Sequence, residues 1–318
     1  MSSYLLGDLT LNRWVADRDA ASRLDPDLIA TLLTDSTTAV LTVRGATIAG
    51  HVAPTGRVGL EFASATDPGF SAAFESASGD WFYLGRDAQR AYLAWTRPEN
   101  DTDEVTSWVS LRDYGHELSA LETGLATAAV ALAAWRSRHQ HCPRCGAVTE
   151  LVEAGWAARC TVDASVHYPR TDPAVIMAVH DAQDRLLLAH SALWPANRRS
   201  ILAGFVEAGE SPEAAVRREV QEEVSLAVEK VVYAGSQPWP FPGSLMLGYR
   251  AWLAEPDAGL AQHQSEPQPD GVEITDASFF TRAELAEAVA SGRIGLPMPT
   301  SIARALIEDW YGGPIPSS

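Results

Sequence analysis

The sequence predicts an α/β (α+β) protein: a sandwich of sheet and helices in the C-terminal half, preceded by a β-rich domain that ends in a helix and by a short cysteine segment. Three observations predict it. At 318 residues the chain is long enough for about two domains of ~150 residues, each with a sizeable core. Strand-length apolar runs broken by turn residues fill the stretch before residue 111. After residue 170 such runs alternate with helical patterns, as in sheets packed against helices.

Along the chain, the runs at 39–43, 58–62, 81–84 and 91–95 have the length and residue content of strands. They bring no chemical motif with them. Residues 118–135 place Leu118, Leu121, Leu125, Ala129, Leu132 and Trp135 three or four apart, which predicts one amphipathic helix. It leads into the cysteine segment, 141–169. Beyond that, 173–179 reads as a buried strand and 185–189 as a second, followed by a glycine-containing loop at 203–209. A helix spans 212–224: Ser211 is a good N-cap, Pro212 suits the first turn, and Val216, Val220 and Val224 form a stripe for a sheet. Strands at 231–233 and 245–253 come next, then a Pro/Gln/Asp-rich loop or linker at 255–271. A strand at 278–280, a helix starting near Thr281 and a last helix at 300–311 complete the chain. The domain division expected from this pattern is 1–136, 137–169 and 170–318.

Charge narrows the function. Twenty-four Lys and Arg stand against 41 Asp and Glu, a net −17, and a field of that sign repels polyanions. Nucleic-acid binding by bulk charge is excluded as a default, and so is adhesion to an anionic membrane. A phosphate ligand would need a metal ion or local arginines to receive it. No stretch reaches the ~18 apolar residues that span a bilayer, and the start lacks a secretory pattern, so a soluble cytoplasmic protein is expected. Cys142, Cys145 and Cys160 are the only cysteines and share one short segment. Such clustering is wrong for a disulfide framework and points to a metal in a reduced compartment.

The informative helix is 212–224. Glu219, Glu222 and Glu223 sit at i, i+3 and i+4, on one face within about a turn. Like charges at that spacing cost an isolated helix about 0.2–0.5 kcal/mol per pair. A solvated acidic face is the plain reading of any one such pair; divalent cations would remove the repulsion altogether. Oxygen donors without Cys or His favour Mg²⁺ or Mn²⁺ over zinc.

With its flanks, this stretch resembles the Nudix box, G-x5-E-x7-R-E-U-x-E-E-x-G-U with U aliphatic. Gly204, Glu210, Arg218, Glu219, Val220, Glu222, Glu223 and Leu226 fall on its positions, and Ser225 stands where the box has glycine. The resemblance implies a Nudix hydrolase domain, an α/β/α sandwich, over 170–318. It implies that Glu219 and Glu223 are metal ligands, that Glu222 is a further ligand or the base that activates water, and that Arg218 forms an ion pair orienting one of these carboxylates. It also implies that Glu210 supports the metal shell, that Ala203 lends its carbonyl to a metal, and that Glu273 is an outlying acidic ligand. Glycine at 225 would ease a positive φ, so Ser225 implies a locally altered helix end.

Further on, Ser236-Gln237-Pro238-Trp239-Pro240-Phe241-Pro242-Gly243-Ser244 alternates prolines with aromatics. Alone it is a rigid structural loop or a stiff apolar wall for a stacking ring. After a Nudix box it resembles the signature of the NADH pyrophosphatase subfamily, which implies substrate contacts from Gln237, Pro238, Trp239, Pro240, Phe241, Pro242 and Ser244. Cys142-x2-Cys145-x14-Cys160 resembles three quarters of that subfamily's zinc ribbon, and the fourth position falls on Asp163. Zinc accepts carboxylate oxygen, and a closed site is structural; His141 and His167 are other candidates, and three thiols held by packing are the plain alternative.

The same resemblance implies substrate contacts at Arg112 and Ala303, and a nicotinamide sandwich between Phe205 and Tyr168, with Tyr168 reaching over from the second subunit of a homodimer. One acidic contact of the subfamily falls on Gly155, with Glu153 as its substitute. The implied activity is metal-dependent hydrolysis of the diphosphate of NADH, and less well NAD⁺, to NMNH and AMP, with removal of NAD caps from RNA 5′ ends beside it. The alternatives are an ADP-ribose or other nucleoside-diphosphate pyrophosphatase and a non-hydrolytic nucleotide sensor.

Overall fold

The computed structural model describes residues 5–53, 56–97, 107–254 and 266–315. These group into two compact units, one made of Leu11–Thr171 with Pro238–Ser244, the other of residues 5–10, Asp172–Gln237 and the described residues from Leu245 onward. No helix among the described residues is long and apolar enough to cross a membrane.

In the first unit, α1 (Leu28–Leu32), β1 (Ala39–Arg44), β2 (Thr47–Val52), β3 (Val58–Leu60), β4 (Ala63–Ser64), α2 (Pro68–Glu75), β5 (Trp81–Arg86), β6 (Ala91–Thr96) and β7 (Trp108–Ser110) follow in order. The sheet runs β3-β2-β1-β6-β5, with β4 on β1 and β7 on β2. Strand alternation splits its side chains between two cores. Leu41, Phe82, Leu84 and Ala94 enter one; Val40, Trp81, Tyr83, Leu93 and Trp95 enter the other, with Phe70 of α2.

After α3 (Leu111–Tyr114) comes α4 (Ala120–Arg138), started by a capping box between Ser119 and Glu122. The expected amphipathic helix is instead buried on most faces from Thr123 to Trp135. The spacing of large side chains missed this because small residues bury the rest of the surface. At Gly124 a Cβ would stand 2.7 Å from the Arg13 carbonyl oxygen. The ribbon is a small antiparallel sheet, β8 (Thr149–Val152), β9 (Ala157–Cys160) and β10 (Val166–His167), in the order β10-β9-β8.

The second unit contains β11 (Asp172–His180), β12 (Leu186–Ser191), β13 (Leu202–Phe205), α5 (Pro212–Val224), β14 (Val228–Trp239), β15 (Ser244–Leu253), β16 (Ile274–Phe280), α6 (Arg282–Ala290) and α7 (Ile302–Tyr311). Its sheet order is β14-β15-β11-β12-β16, with β13 on β11. Val175, Met177, Val179 and Leu187 pack with Val216, Val220 and Val224 of α5. Ile176, Ala178, Leu186 and Leu188 pack with Leu285 of α6 and with Leu306 and Trp310 of α7. The sheet is therefore covered on both faces, an α/β/α sandwich.

Two local expectations are corrected. Residues 203–205 of the anticipated loop belong to the strand β13, with Gly204 opposite Val175 and Phe205 opposite Ala174; Gly204 marks a point of close approach and not a loop. Ser225 does not alter the helix end: it adopts the left-handed conformation itself, φ 58° and ψ 32°, and its N–H donates to the Val220 and Gln221 carbonyls. A non-glycine residue pays about 1–2 kcal/mol to sit there, partly offset by glycine's greater chain entropy. Ser225→Gly should therefore raise stability by about 0.5–1 kcal/mol, read as a higher urea midpoint at unchanged slope.

Candidate active site

The acidic face of α5 is organised by Arg218. Its Nε and Nη2 donate to the two oxygens of Glu210, at 3.0 and 2.8 Å. Nη1 donates to Glu219 Oε1 at 2.9 Å and to Glu222 Oε2 at 3.0 Å, and Nη2 also reaches the Phe205 carbonyl at 2.9 Å. One planar guanidinium thus ties the end of β13, the loop at Glu210 and two helix carboxylates together, which a lysine could not do. The carboxylates around it hold Arg218 above its ordinary pKa, and its hydrogen bonds pull Glu210 below the usual range. Gly204 leaves the space into which Glu219 reaches, since a Cβ there would lie 2.0 Å from the Glu219 carboxyl.

Glu223 has no share in this grip. It is 5% exposed, and its Oε2 is buried without a hydrogen-bond partner. Burial, then the charges of Glu219, Glu273, Asp270 and Glu222, push its pKa up to about 8. Glu219 is also raised, by burial first, despite Arg218. An orphaned buried carboxylate oxygen among four further acids fits a hard divalent cation, which would satisfy it and remove the repulsion.

The loop that brings Glu273 here is docked on the helix end. The Gln268 N–H donates to the Val224 carbonyl and the Asp270 N–H to that of Glu223, at 2.9 and 3.0 Å. The Asp270 carboxylate then accepts from the backbone of Val272, Glu273 and Ile274. Asp270 carries no local signal for this role, since the Pro/Gln/Asp content of 255–271 predicts only a loop or linker. The remainder of that stretch, 255–265, lies outside the described residues.

The anticipated substrate residues fall in both units. In the second, Phe205 ends β13 and is 60% exposed, and Ala203 lies beside Gly204 on the same strand. Two of the implied contacts have buried side chains. Gln237 is fully buried on β14, where its Nε2 donates to the Thr300 carbonyl at 3.1 Å. Ala303, on α7, is 3% exposed and packed into the core. In the first unit, Trp239 and Phe241 stack edge to face at 4.9 Å and pack against that unit's core, with Pro240 buried between them in sequence, Pro238 half-buried and Pro242 exposed. Ser244 opens β15. The Arg112 guanidinium lies 5.8 Å from the Trp239 ring. Tyr168 is 63% exposed, its hydroxyl 3.4 Å from Glu153 Oε1. Gly155 has φ +91°, and a Cβ there would meet the Trp81 carbonyl at 2.4 Å. No acidic side chain fits at that position.

The ribbon brings Cys142, Cys145, Cys160 and Asp163 together, with donor atoms all within 4.8 Å of one another. Tetrahedral zinc with bonds near 2.3 Å sets its sulfur donors about 3.8 Å apart. Backbone N–H groups aim at the sulfurs: Arg144 at Cys142, and Val162 and Asp163 at Cys160, each 3.4 Å away. Burial opposes ionisation of Cys142, but hydrogen bonds from Ser165, the backbone and His167 outweigh it and bring the thiol to about 6. The donor set fits structural zinc. His167 Nε2 is 3.4 Å from the Cys142 sulfur, whereas His141 is in a backbone bridge with Val148 and outside the cluster.

The NUDIX domain family matches residues 170–296, and the NADH pyrophosphatase zinc ribbon domain matches 137–168. The chain is 41% identical over 228 residues to the NAD-capped RNA hydrolase NudC of Mycobacterium bovis (strain BCG / Pasteur 1173P2), across 69% of this chain and 70% of that one. It is 37% identical over 242 residues to the human NAD-capped RNA hydrolase NUDT12, across 72% of this chain and 50% of that one. Among solved structures, a NUDIX hydrolase from Nitrosomonas europaea is alike over 55% of this chain and 94% of that one, at 21% identity and a TM-score of 0.40.

Unfolded, Glu223 ionises near its ordinary value of 4.5; in the cation-free fold it keeps its proton to about 8. Between those values the folded state binds the extra proton, so the stability it confers is full at low pH and is lost as pH rises through about 8. Urea midpoints without added divalent ions should fall over that range, Mn²⁺ should reduce the fall, and Glu223→Gln should flatten it; a level parent profile would contradict the buried protonated carboxylate. In the ribbon, elemental analysis should find zinc bound to the parent chain. If Asp163 is the fourth ligand, Asp163→Ala should release it to a chelator faster than His167→Ala does.

Proposed function

This chain belongs to the NADH pyrophosphatase subfamily of the Nudix hydrolases, and we propose that the acidic face of α5, gripped by Arg218, is the centre at which it splits the diphosphate of NADH and, less readily, of NAD⁺. Water attacks one phosphorus, the P–O–P bridge breaks, and NMNH, AMP and a proton leave. An NAD cap on RNA contains the same diphosphate, so cap removal needs no second chemistry. The relatives named NAD-capped RNA hydrolases support it as a second activity.

The observation that carries this reading is Glu223, a buried carboxylate with an unpartnered oxygen facing other acids. Glu219, Glu223, Glu273 and the Ala203 carbonyl are the proposed ligands, with Glu222 as a further ligand or the base. Bound Mg²⁺ or Mn²⁺ supplies positive charge to the phosphoryl oxygens and lowers the pKa of water. Arg218 fixes Glu219 and Glu222, and Glu210 fixes Arg218 in turn. The proton of the attacking water passes to Glu222 or Glu223.

On the substrate side, Arg112, Tyr168, Phe205, Ser244 and the 238–242 turn are the proposed contacts, whereas Gln237 and Ala303 act from inside the core as supports. The large exposed faces of Tyr168 and Phe205 suit a nicotinamide ring. A homodimer in which Tyr168 reaches the neighbouring site belongs to the proposal, as does the division into 1–136, a zinc ribbon at 137–169 and a hydrolase domain at 170–318.

Hydrolysis of NADH with Mn²⁺ in ¹⁸O water, read by mass spectrometry, should give NMNH and AMP with the label on one phosphate. Loss of a correctly placed base or ligand should cost on the order of 10²–10⁴-fold in kcat, so Glu223→Gln should fall by that much with little change in KM. Comparing it with Glu222→Gln separates the two candidate bases. Parent-like turnover by Glu223→Gln would overturn the assigned centre, and a preference for ADP-ribose over NADH in competition would overturn the substrate.

A further inference from the structure

The loop that carries Glu273 holds an acid to which the proposed hydrolysis gives no role. Asp270 is exposed, yet its carboxylate is taken up by the chain that follows it. Its Oδ1 accepts from the N–H groups of Val272, Glu273 and Ile274 at 3.1, 3.2 and 2.9 Å, and its Oδ2 accepts from Glu273 at 3.2 Å. The Gly271 N–H donates to the Ile274 carbonyl at 3.0 Å and closes the same turn from the other side, with Gly271 at φ +74°. A short, ionised carboxylate suits this task, because it accepts several N–H groups at once and cannot reach far from its own backbone.

Both ends of the turn are anchored. On the α5 side, the Asp270 N–H donates to the Glu223 carbonyl at 3.0 Å, and the Gln268 N–H to that of Val224 at 2.9 Å. These are among the last carbonyls of the helix, which have no intrahelical partner. On the other side, the Ala192 N–H donates to the Glu273 carbonyl at 3.2 Å, next to the irregularity between His190 and Ser191 where β12 pairs with β16. Such a bulge re-aims the chain that leaves it. Glu273 is exposed, so core packing does not orient its side chain; its backbone does. The N–H of that backbone is held by Asp270, whose own N–H is held by Glu223. One residue thus bonds to the main chain of two proposed ligands that are far apart in sequence.

We propose that Asp270 is a positioning residue of the metal centre: through its bonds to the backbone of both, it sets where Glu273 stands relative to Glu223. It binds no cation itself, because its oxygens are engaged with backbone N–H groups. Outer partners of this kind orient the groups that do the binding. The inference rests on the reading of Glu223 and Glu273 as metal ligands, and the two fail in different ways.

The test is Mn²⁺ affinity, read from the electron paramagnetic resonance signal of the free ion, on the full chain with zinc retained and no substrate. Removing an outer partner of a ligand weakens metal binding by about 10–100-fold, so Asp270→Ala should bind Mn²⁺ about tenfold more weakly than the parent. Asp270→Asn keeps an oxygen in the place that accepts from Val272, Glu273 and Ile274, and should stay within about threefold of the parent. Because the side chain acts through Glu273, the double variant Asp270→Ala/Glu273→Gln should bind no more weakly than Glu273→Gln alone. Near-UV circular dichroism checks that Asp270→Ala is folded. Asp270→Ser, whose hydroxyl accepts fewer of these bonds, should fall between Asp270→Asn and Asp270→Ala, and it serves where Asp270→Ala does not fold. Parent-like affinity in Asp270→Ala, Asp270→Asn as weak as Asp270→Ala, or additive losses in the double variant would each overturn the proposal. Parent-like affinity in Glu273→Gln would instead sink the ligand assignment beneath it, and the positioning role with it.

Discussion

The second unit depends on one guanidinium. Arg218 donates hydrogen bonds to Glu210, Glu219, Glu222 and the Phe205 carbonyl, so a single cation neutralises acids that would otherwise repel along one helix face. The arrangement is asymmetric in a useful way. Glu210 and Glu222 have their charge answered within the protein, whereas Glu223 is left buried with an unpartnered oxygen. The unmet demand for positive charge is therefore concentrated where Glu223, Glu219 and the Glu273 loop meet.

That geometry is maintained by apolar packing and backbone bonds. Val216, Val220 and Val224 seat α5 on the sheet through alternate side chains of β11 and β12, which fixes the rotation of the helix and turns its carboxylates the other way. Gly204 lets Glu219 lie against β13, where any side chain would collide with it. At the far end of the helix, backbone bonds from Gln268 and Asp270 to the Val224 and Glu223 carbonyls hold the acidic loop in place. The carboxylate cluster is thus held from three sides.

How much of this could be read from the sequence depends on the range of the interaction involved. The start and end of α5, its valine stripe and its acid spacing are local, and the sequence displays them directly. So is the cysteine cluster with Asp163, whose ligands lie within one short segment. The burial of α4 was hidden because alanines and a glycine at close contacts leave little trace in a periodicity built on large side chains. Asp270 was hidden because its role is to accept backbone N–H groups and to dock a loop on a helix about forty-five residues earlier, a long-range pairing with no local pattern. Gln237 and Ala303 show a different limit. The resemblance implies contacts at both, but the fold turns the Gln237 side chain into the core toward Thr300 and packs Ala303, on α7, into the core as well. A motif position fixes the backbone's neighbourhood more firmly than it fixes which way the side chain faces.

The net charge of −17 would by itself turn phosphate compounds away. One local arrangement opposes it. On α5, negative charge is packed until a divalent cation becomes the favoured partner, and that cation then presents positive charge to a diphosphate. Anion binding at this face is thereby conditional on a metal. Because the long-range field still opposes polyanions, an extended anion would be retained only where such a local site holds it, which favours ends and single strands over long duplexes.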